Sequence, residues 1–91
     1  MNGYEYLTTH CHLLHPFGGN PDAMLKHFGR ASGGERVLIA AALSLLHPLD
    51  RPEGAEKVLI QLYNVGSLDH ENTRILLRAI EIEAGHEGLV V

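Results

Sequence analysis

One apolar stretch near the middle of the chain limits what these 91 residues can fold into. Nine of the ten residues at positions 37–46 are apolar. Ser32 and Glu35 form a capping-box pattern before the stretch and Pro48 follows it, which predicts a helix over residues 33–47. A helix that is apolar on every side must be covered on every side. The sequence therefore predicts a domain built around one central buried helix.

Four further helices are predicted around this centre from caps and helix stops. Asn2 and Asn20 are natural N-caps, and each predicted helix stops at a proline or a glycine. No segment shows a sustained alternation of apolar and polar residues, so no strand is predicted. The four helices span residues 3–15, 21–28, 52–65 and 68–84. The predicted fold class is all-α, a compact five-helix domain over residues 1–91, with residues 86–91 as a flexible or docked tail.

Apolar residues at spacings of three and four give three of these helices a stripe that we expect to be buried. The predicted stripes are Tyr4, Leu7, Cys11 and Leu14 in the first helix, Ala55, Val58, Leu59 and Leu62 in the fourth, and Ile75, Leu76, Ala79 and Ile80 in the fifth.

The string Leu-Leu-His-Pro occurs twice, at residues 13–16 and again 32 residues later at 45–48. Each copy leads to a proline followed by an acid, at Pro21-Asp22 and Pro52-Glu53. Repetition at this period is typical of stacked helical hairpins, which would give two hairpins plus a C-terminal helix. The alternative is coincidence, because two leucines at a helix end before a proline are common.

Residues 36–69 also resemble a tetratricopeptide repeat. A helix of about twelve residues, a short turn, a second helix and a phase of 34 residues fit that family. Ala55 stands where the family has a small residue, with Leu59 and Leu62 at nearby packing positions. The chain departs from the family at Ile39, Leu43 and Asp50. The resemblance implies a scaffold whose concave surface holds a segment of another protein, often a helix.

The charge balance disfavours nucleic acid as a partner. Eleven acidic residues against seven lysines and arginines give a net charge of −4, which opposes phosphate binding. A small helix-turn-helix over 52–84 remains an alternative, joined at Gly66-Ser67. Its second helix would begin with Asp69 and Glu71, which places carboxylates against the phosphates.

Cysteine usage and hydropathy indicate the compartment. A single cysteine excludes an internal disulfide framework. The longest apolar run has seven residues, too few for a membrane span, and no signal-peptide pattern opens the chain. We therefore expect a cytoplasmic protein with no membrane contact.

A cluster of potential metal ligands lies at residues 10–15. Cys11 and His15 are one helical turn apart, and His12 and His15 are three residues apart, so either pair could bind one zinc ion. The alternative is that Cys11 is a buried member of the first apolar stripe. A metal-binding protein using Cys11, His12 and His15 thus stays an alternative, while no cofactor is predicted.

The first 28 residues contain four of the five aromatic residues, and aromatic side chains are typical anchors of protein interfaces. Tyr6 and Leu13 lie on the helix face opposite the first stripe, where they either form a binding surface or pack on the second helix or on the tail. No spacing pairs a nucleophile with a base, so no enzyme is predicted. We expect a non-enzymatic interaction module (an adaptor, chaperone or inhibitor) that binds a protein segment or a second copy of itself as a homodimer. The predicted partner-binding residues are Tyr4, Tyr6, His10, Leu13 and Phe17.

Overall fold

The computed structural model describes residues 1–86, and within this range it contains four α-helices and no strand. The helices are α1 (Gly3–His10), α2 (Pro21–His27), α3 (Gly33–Leu45) and α4 (His70–Glu83). Short 3₁₀ turns occupy His12–Phe17, Phe28–Arg30, Pro48–Asp50, Ala55–Lys57 and Leu62–Ser67. The all-α prediction is confirmed. The predicted tail lies outside the described residues except for His86.

Helix α3 is the centre of the domain, as predicted. Every residue from Val37 to Leu43 is buried, and α3 contacts α1, α2, α4 and the Leu62–Ser67 turn. The capping box of Ser32 and Glu35 is present at its start. The core is therefore assembled around this one helix.

The end of α3 is held by the chain that follows it. Arg51 Nε donates to the carbonyl of Leu43 (2.9 Å) and Arg51 Nη2 donates to the carbonyl of Ser44 (3.0 Å). These bonds satisfy carbonyls that have no partner inside the helix. The Ser44 hydroxyl donates to the carbonyl of Ala40 and accepts from the amide of Ile60 (3.0 Å). The segment around Ile60 is thereby fixed against α3.

The first predicted helix is wrong beyond His10. Cys11 takes an extended conformation, and residues 12–17 form a 3₁₀ turn that contains Pro16. A proline has no amide hydrogen and disfavours the α-conformation of the residue before it. Cys11 and Leu14 are nevertheless buried, as the predicted stripe required.

The fourth predicted helix, over 52–65, is also wrong. Gly54 has a φ of +89°, which interrupts any helix there, and two 3₁₀ turns replace it. Ala55 is buried as expected, but Leu62 is 73% exposed. The amide of Ile60 bonds to the Ser44 side chain instead of a helical carbonyl. Within the described residues, the α-helix that a helix-turn-helix would need before residue 66 is therefore missing.

Helix α4 begins two residues later than predicted, after the N-cap Asp69. Leu76 and Ala79 are buried as expected, whereas Ile80 is 43% exposed, which corrects that part of the stripe. The two Leu-Leu-His-Pro strings differ in structure, because the first lies inside a 3₁₀ turn and the second spans the end of α3. No helix in residues 1–86 is long and apolar enough to cross a bilayer.

Candidate partner-binding site

Tyr4 was predicted both in the buried stripe of the first helix and among the partner-binding residues, and the structure buries it. Its ring is only 9% exposed and packs in the core. Its hydroxyl donates to the carbonyl of Gly19 (2.6 Å), and burial raises its pKa. The hydrogen bond holds the Gly18-Gly19 loop against α1. The role of Tyr4 in this fold is therefore structural.

The structure separates the other predicted partner residues into two groups. Tyr6 and His10 lie together on α1, with ring centroids 4.2 Å apart. Phe17 instead lies against His27 of α2, at 5.2 Å between ring centroids, and Leu13 is 38% exposed. The aromatic residues of the predicted N-terminal surface therefore form two separate ring pairs and not one cluster.

Tyr6 also lines a cleft of about 370 Å³ between α1 and α4. The α4 residues that line it are Glu71, Arg74, Ile75 and Arg78. Arg78 pairs with the buried carboxylate of Glu81 on its own helix. This cleft thus carries charges of both signs and favours no single class of ligand.

Cys11, His12 and His15, the three potential metal ligands, contact protein groups in this structure. The Cys11 thiol is buried and donates to Asn72 Oδ1 (3.4 Å). His15 Nε2 donates to the carbonyl of Thr9 (2.7 Å), and the His12 ring centroid is 5.0 Å from that of His15. In the described part of the chain, no three His, Cys, Asp or Glu side chains are grouped to hold a metal ion. The geometry supports the interpretation of Cys11 as a core residue.

The Cys11 thiol is expected to be unreactive in the folded protein. Burial raises its pKa, so less thiolate forms at neutral pH, and thiolate is the species that reacts with disulfides. With 5,5′-dithiobis(2-nitrobenzoic acid) at pH 7.5, we expect labelling at least about a hundredfold slower in buffer than in 8 M urea. Equal rates in the two solvents would show that the thiol is accessible.

A second cleft, of about 320 Å³, lies between α3 and the segment 57–67. We call it the α3 cleft. Its apolar lining comes from both sides, and its polar lining comes mainly from the later segment. The lining residues are Phe28, Gly33, Arg36, Val37, Ala40, Lys57, Val58, Leu59, Ile60, Gln61, Asn64 and Ser67.

The α3 cleft is cationic in a chain of net charge −4. Arg36 and Lys57 are the charged members of its described lining, which includes no Asp, Glu or His. Arg36 Nη2 donates to the carbonyl of Gly29 (3.0 Å), and its guanidinium carbon lies 5.6 Å from the centroid of the Phe28 ring. Neither cation forms an ion pair with a described residue. Their charges are therefore available to a ligand.

Two large apolar side chains are exposed on the turn that borders this cleft. Leu62 is 73% exposed and Tyr63 is 81% exposed. The Tyr63 hydroxyl and the Asn64 amide both donate to Gln61 Oε1, at 3.0 and 3.1 Å, which braces the turn beside the cleft. We call the α3 cleft together with Leu62 and Tyr63 the cleft face.

Sequence reasoning missed the cleft face because it placed 52–65 in an amphipathic helix that buried Leu62. One signal pointed to it, since Tyr63 is the one aromatic residue outside the first 28. Arg36 and Lys57 are 21 positions apart in the sequence, and only the packing of the later segment on α3 brings them to one cleft.

Comparison with known proteins adds no relative. No protein-family model, curated protein or solved structure matches this chain. The resemblance of residues 36–69 to a tetratricopeptide repeat therefore stays a prediction, and the function has to be argued from the site itself.

Proposed function

We propose that this chain is a small non-enzymatic module that binds a segment of another protein on the cleft face. The observation that carries the proposal is the exposure of Leu62 and Tyr63 beside a cleft with an apolar lining. Single exposed apolar residues are ordinary in proteins, but here two are adjacent on the turn whose Gln61 and Asn64 line a cleft of mixed polar and apolar surface. Such a patch with a polar rim is typical of a protein-binding site.

The side chains of the cleft face suit a protein partner. Tyrosine is enriched among residues that dominate binding energy, because it buries a large area at low entropic cost. Gln61 and Asn64 provide a polar rim. Ser67 and Lys57 line the cleft, but its described lining has no histidine or carboxylate that could act as a base beside them, which supports binding over catalysis.

A different protein fits this face better than a second copy of the chain. In a two-fold dimer the same patch meets itself, so the cations at Arg36 and Lys57 would approach the same cations of the other copy. The patch supplies no described carboxylate to neutralise them, and like charges in an interface are unfavourable. Such a face would suit a cytoplasmic adaptor, chaperone or inhibitor.

Selection of displayed random 12-residue peptides tests the proposal. We expect the wild-type protein to enrich a common sequence pattern. The double substitution Leu62→Ser and Tyr63→Ser is expected to weaken binding of the enriched peptide by about tenfold or more, because it removes both exposed anchors. Isothermal titration calorimetry with the synthetic peptide gives the two dissociation constants.

Leu49→Ser is the matched control, because Leu49 is exposed, apolar and outside the cleft lining. It should leave the dissociation constant unchanged. If no pattern is enriched, or the double substitution has no more effect than the control, the proposal is wrong. A dimer in sedimentation experiments that dissociates on the double substitution would identify a second copy as the occupant and would also overturn it.

A further inference from the structure

We infer that the segment bound on the cleft face is acidic, with an aliphatic side chain inside the α3 cleft and neighbouring carboxylates paired with Arg36 and Lys57. This inference rests on the proposed function and specifies the chemistry of the partner. The observation behind it is the contrast in charge between the cationic cleft and the acidic chain as a whole.

The first step is the sign of the local charge. The chain as a whole is acidic, yet the described lining of this cleft holds two cations and no acid. At physiological ionic strength, charges farther away than about 8 Å are largely screened. The charged side chains that line the cleft itself are those of Arg36 and Lys57, and clefts lined by one sign of charge concentrate the opposite sign.

The second step is the preorganisation of Arg36. The carbonyl of Gly29 and the ring of Phe28 hold its guanidinium in place. The one hydrogen bond to Gly29 leaves further N–H donors for a carboxylate, which guanidinium binds in a bidentate geometry. Because the side chain is already ordered, pairing loses less conformational entropy than it would with a free arginine.

The third step is the apolar lining. Val37 and Ala40 of α3 face the cleft with Val58, Leu59 and Ile60 of the later segment. These side chains would bury an aliphatic group but offer no partner to a buried charge. The ligand is thus amphipathic, with its acids at the cations and its aliphatic side chain on the lining. A basic segment would meet like charge.

Three displayed peptide libraries test this inference. Leucine, isoleucine or valine occupies the same alternating positions in all three, and the remaining positions are acidic, amide or basic. We expect the wild-type protein to retain the acidic library most strongly. Lys57→Glu should reduce that retention by about fivefold to tenfold and increase retention of the basic library, because the charge at position 57 reverses and then cancels that of Arg36. Arg36→Gln should reduce acidic retention without favouring the basic library.

Lys26→Glu makes the same charge change at an exposed lysine of α2 outside the cleft lining. It should leave the library preference unchanged. This control distinguishes an effect of the charge in the cleft from an effect of the net charge of the chain. Thermal unfolding of each variant verifies that the fold is intact. Equal retention of the acidic and amide libraries, or equal effects of Lys57→Glu and Lys26→Glu, would overturn the inference.

The same libraries distinguish this failure from failure of the proposed function. If the amide library binds as well as the acidic one and the Leu62→Ser, Tyr63→Ser protein loses both, the docking face stands and the acidic preference is wrong. If acidic retention depends on Lys57 but not on Leu62 and Tyr63, the cleft binds acids while the proposed docking face is wrong. Octanoate binding as tightly as the acidic peptides would assign the cleft to a small carboxylate and overturn the inference.

Discussion

Replacing Leu38 with alanine is expected to lower the free energy of unfolding by about 2–5 kcal/mol. Leu38 has no exposed surface and lies in the middle of α3, whose residues 37–43 are all buried. The truncation removes buried methyl groups and leaves a cavity. The helices packed around α3 can relax into this cavity only in part. Urea unfolding followed by circular dichroism at 222 nm measures the loss.

Leu49→Ala is the matched control for this prediction. It makes the same chemical change at a leucine that is 88% exposed, so the free energy of unfolding should change by no more than about 0.5 kcal/mol. If the two substitutions have similar effects, α3 is not the centre of the core. The expected loss at Leu38 is a large part of the about 5–15 kcal/mol by which a domain is usually stable.

Replacing Gly3 with alanine is expected to destabilise the protein by about 1–3 kcal/mol. A Cβ atom at Gly3 would lie 2.5 Å from the carbonyl oxygen of Ala79 and 2.9 Å from Cβ of Glu83. Neither atom can swing aside as the end of a long side chain would. Helix α1 would have to move away from α4, which would also strain the hydrogen bond from the Gly3 amide to Glu83 Oε1 (3.0 Å).

Gly29→Ala controls for the general effect of removing a glycine. No atom lies within 4 Å of a Cβ at Gly29, and this residue has no positive φ. Its substitution should be neutral or slightly stabilising, because alanine reduces the entropy of the unfolded chain. Thermal unfolding of both variants measures the difference. A Gly3 variant as stable as the Gly29 variant would contradict the close packing of α1 on α4.

The elements that sequence reasoning predicted well are those whose signals are local. Ser32 and Glu35 form the predicted capping box, and Asn20 caps a helix with Pro21 at its first position. These bonds join residues two or three positions apart, so the sequence contains both partners. The apolar run of α3 is local in the same sense, because a helix without a polar side must be buried wherever it lies.

The error over residues 52–65 falls where a distant residue competes with a local preference. The predicted helix over 52–65 rested on apolar residues at helical spacing. In the fold, Gly54 adopts a positive φ, and the Ser44 hydroxyl takes the amide of Ile60. A hydroxyl 16 positions earlier in the sequence gives no signal in a short window, so tertiary contacts overrode the helical pattern.

The sequence by itself determined the all-α class, the central buried helix and the caps at its start and at α2, since each depends on neighbouring residues. Only the tertiary structure decided that the Tyr4 hydroxyl bonds to the carbonyl of Gly19, that Gly3 permits α1 to approach α4, and that Arg36 and Lys57 line one cleft. The physical reason is that a surface is assembled from residues remote in sequence. Its charge and shape arise from backbone packing that no local pattern encodes.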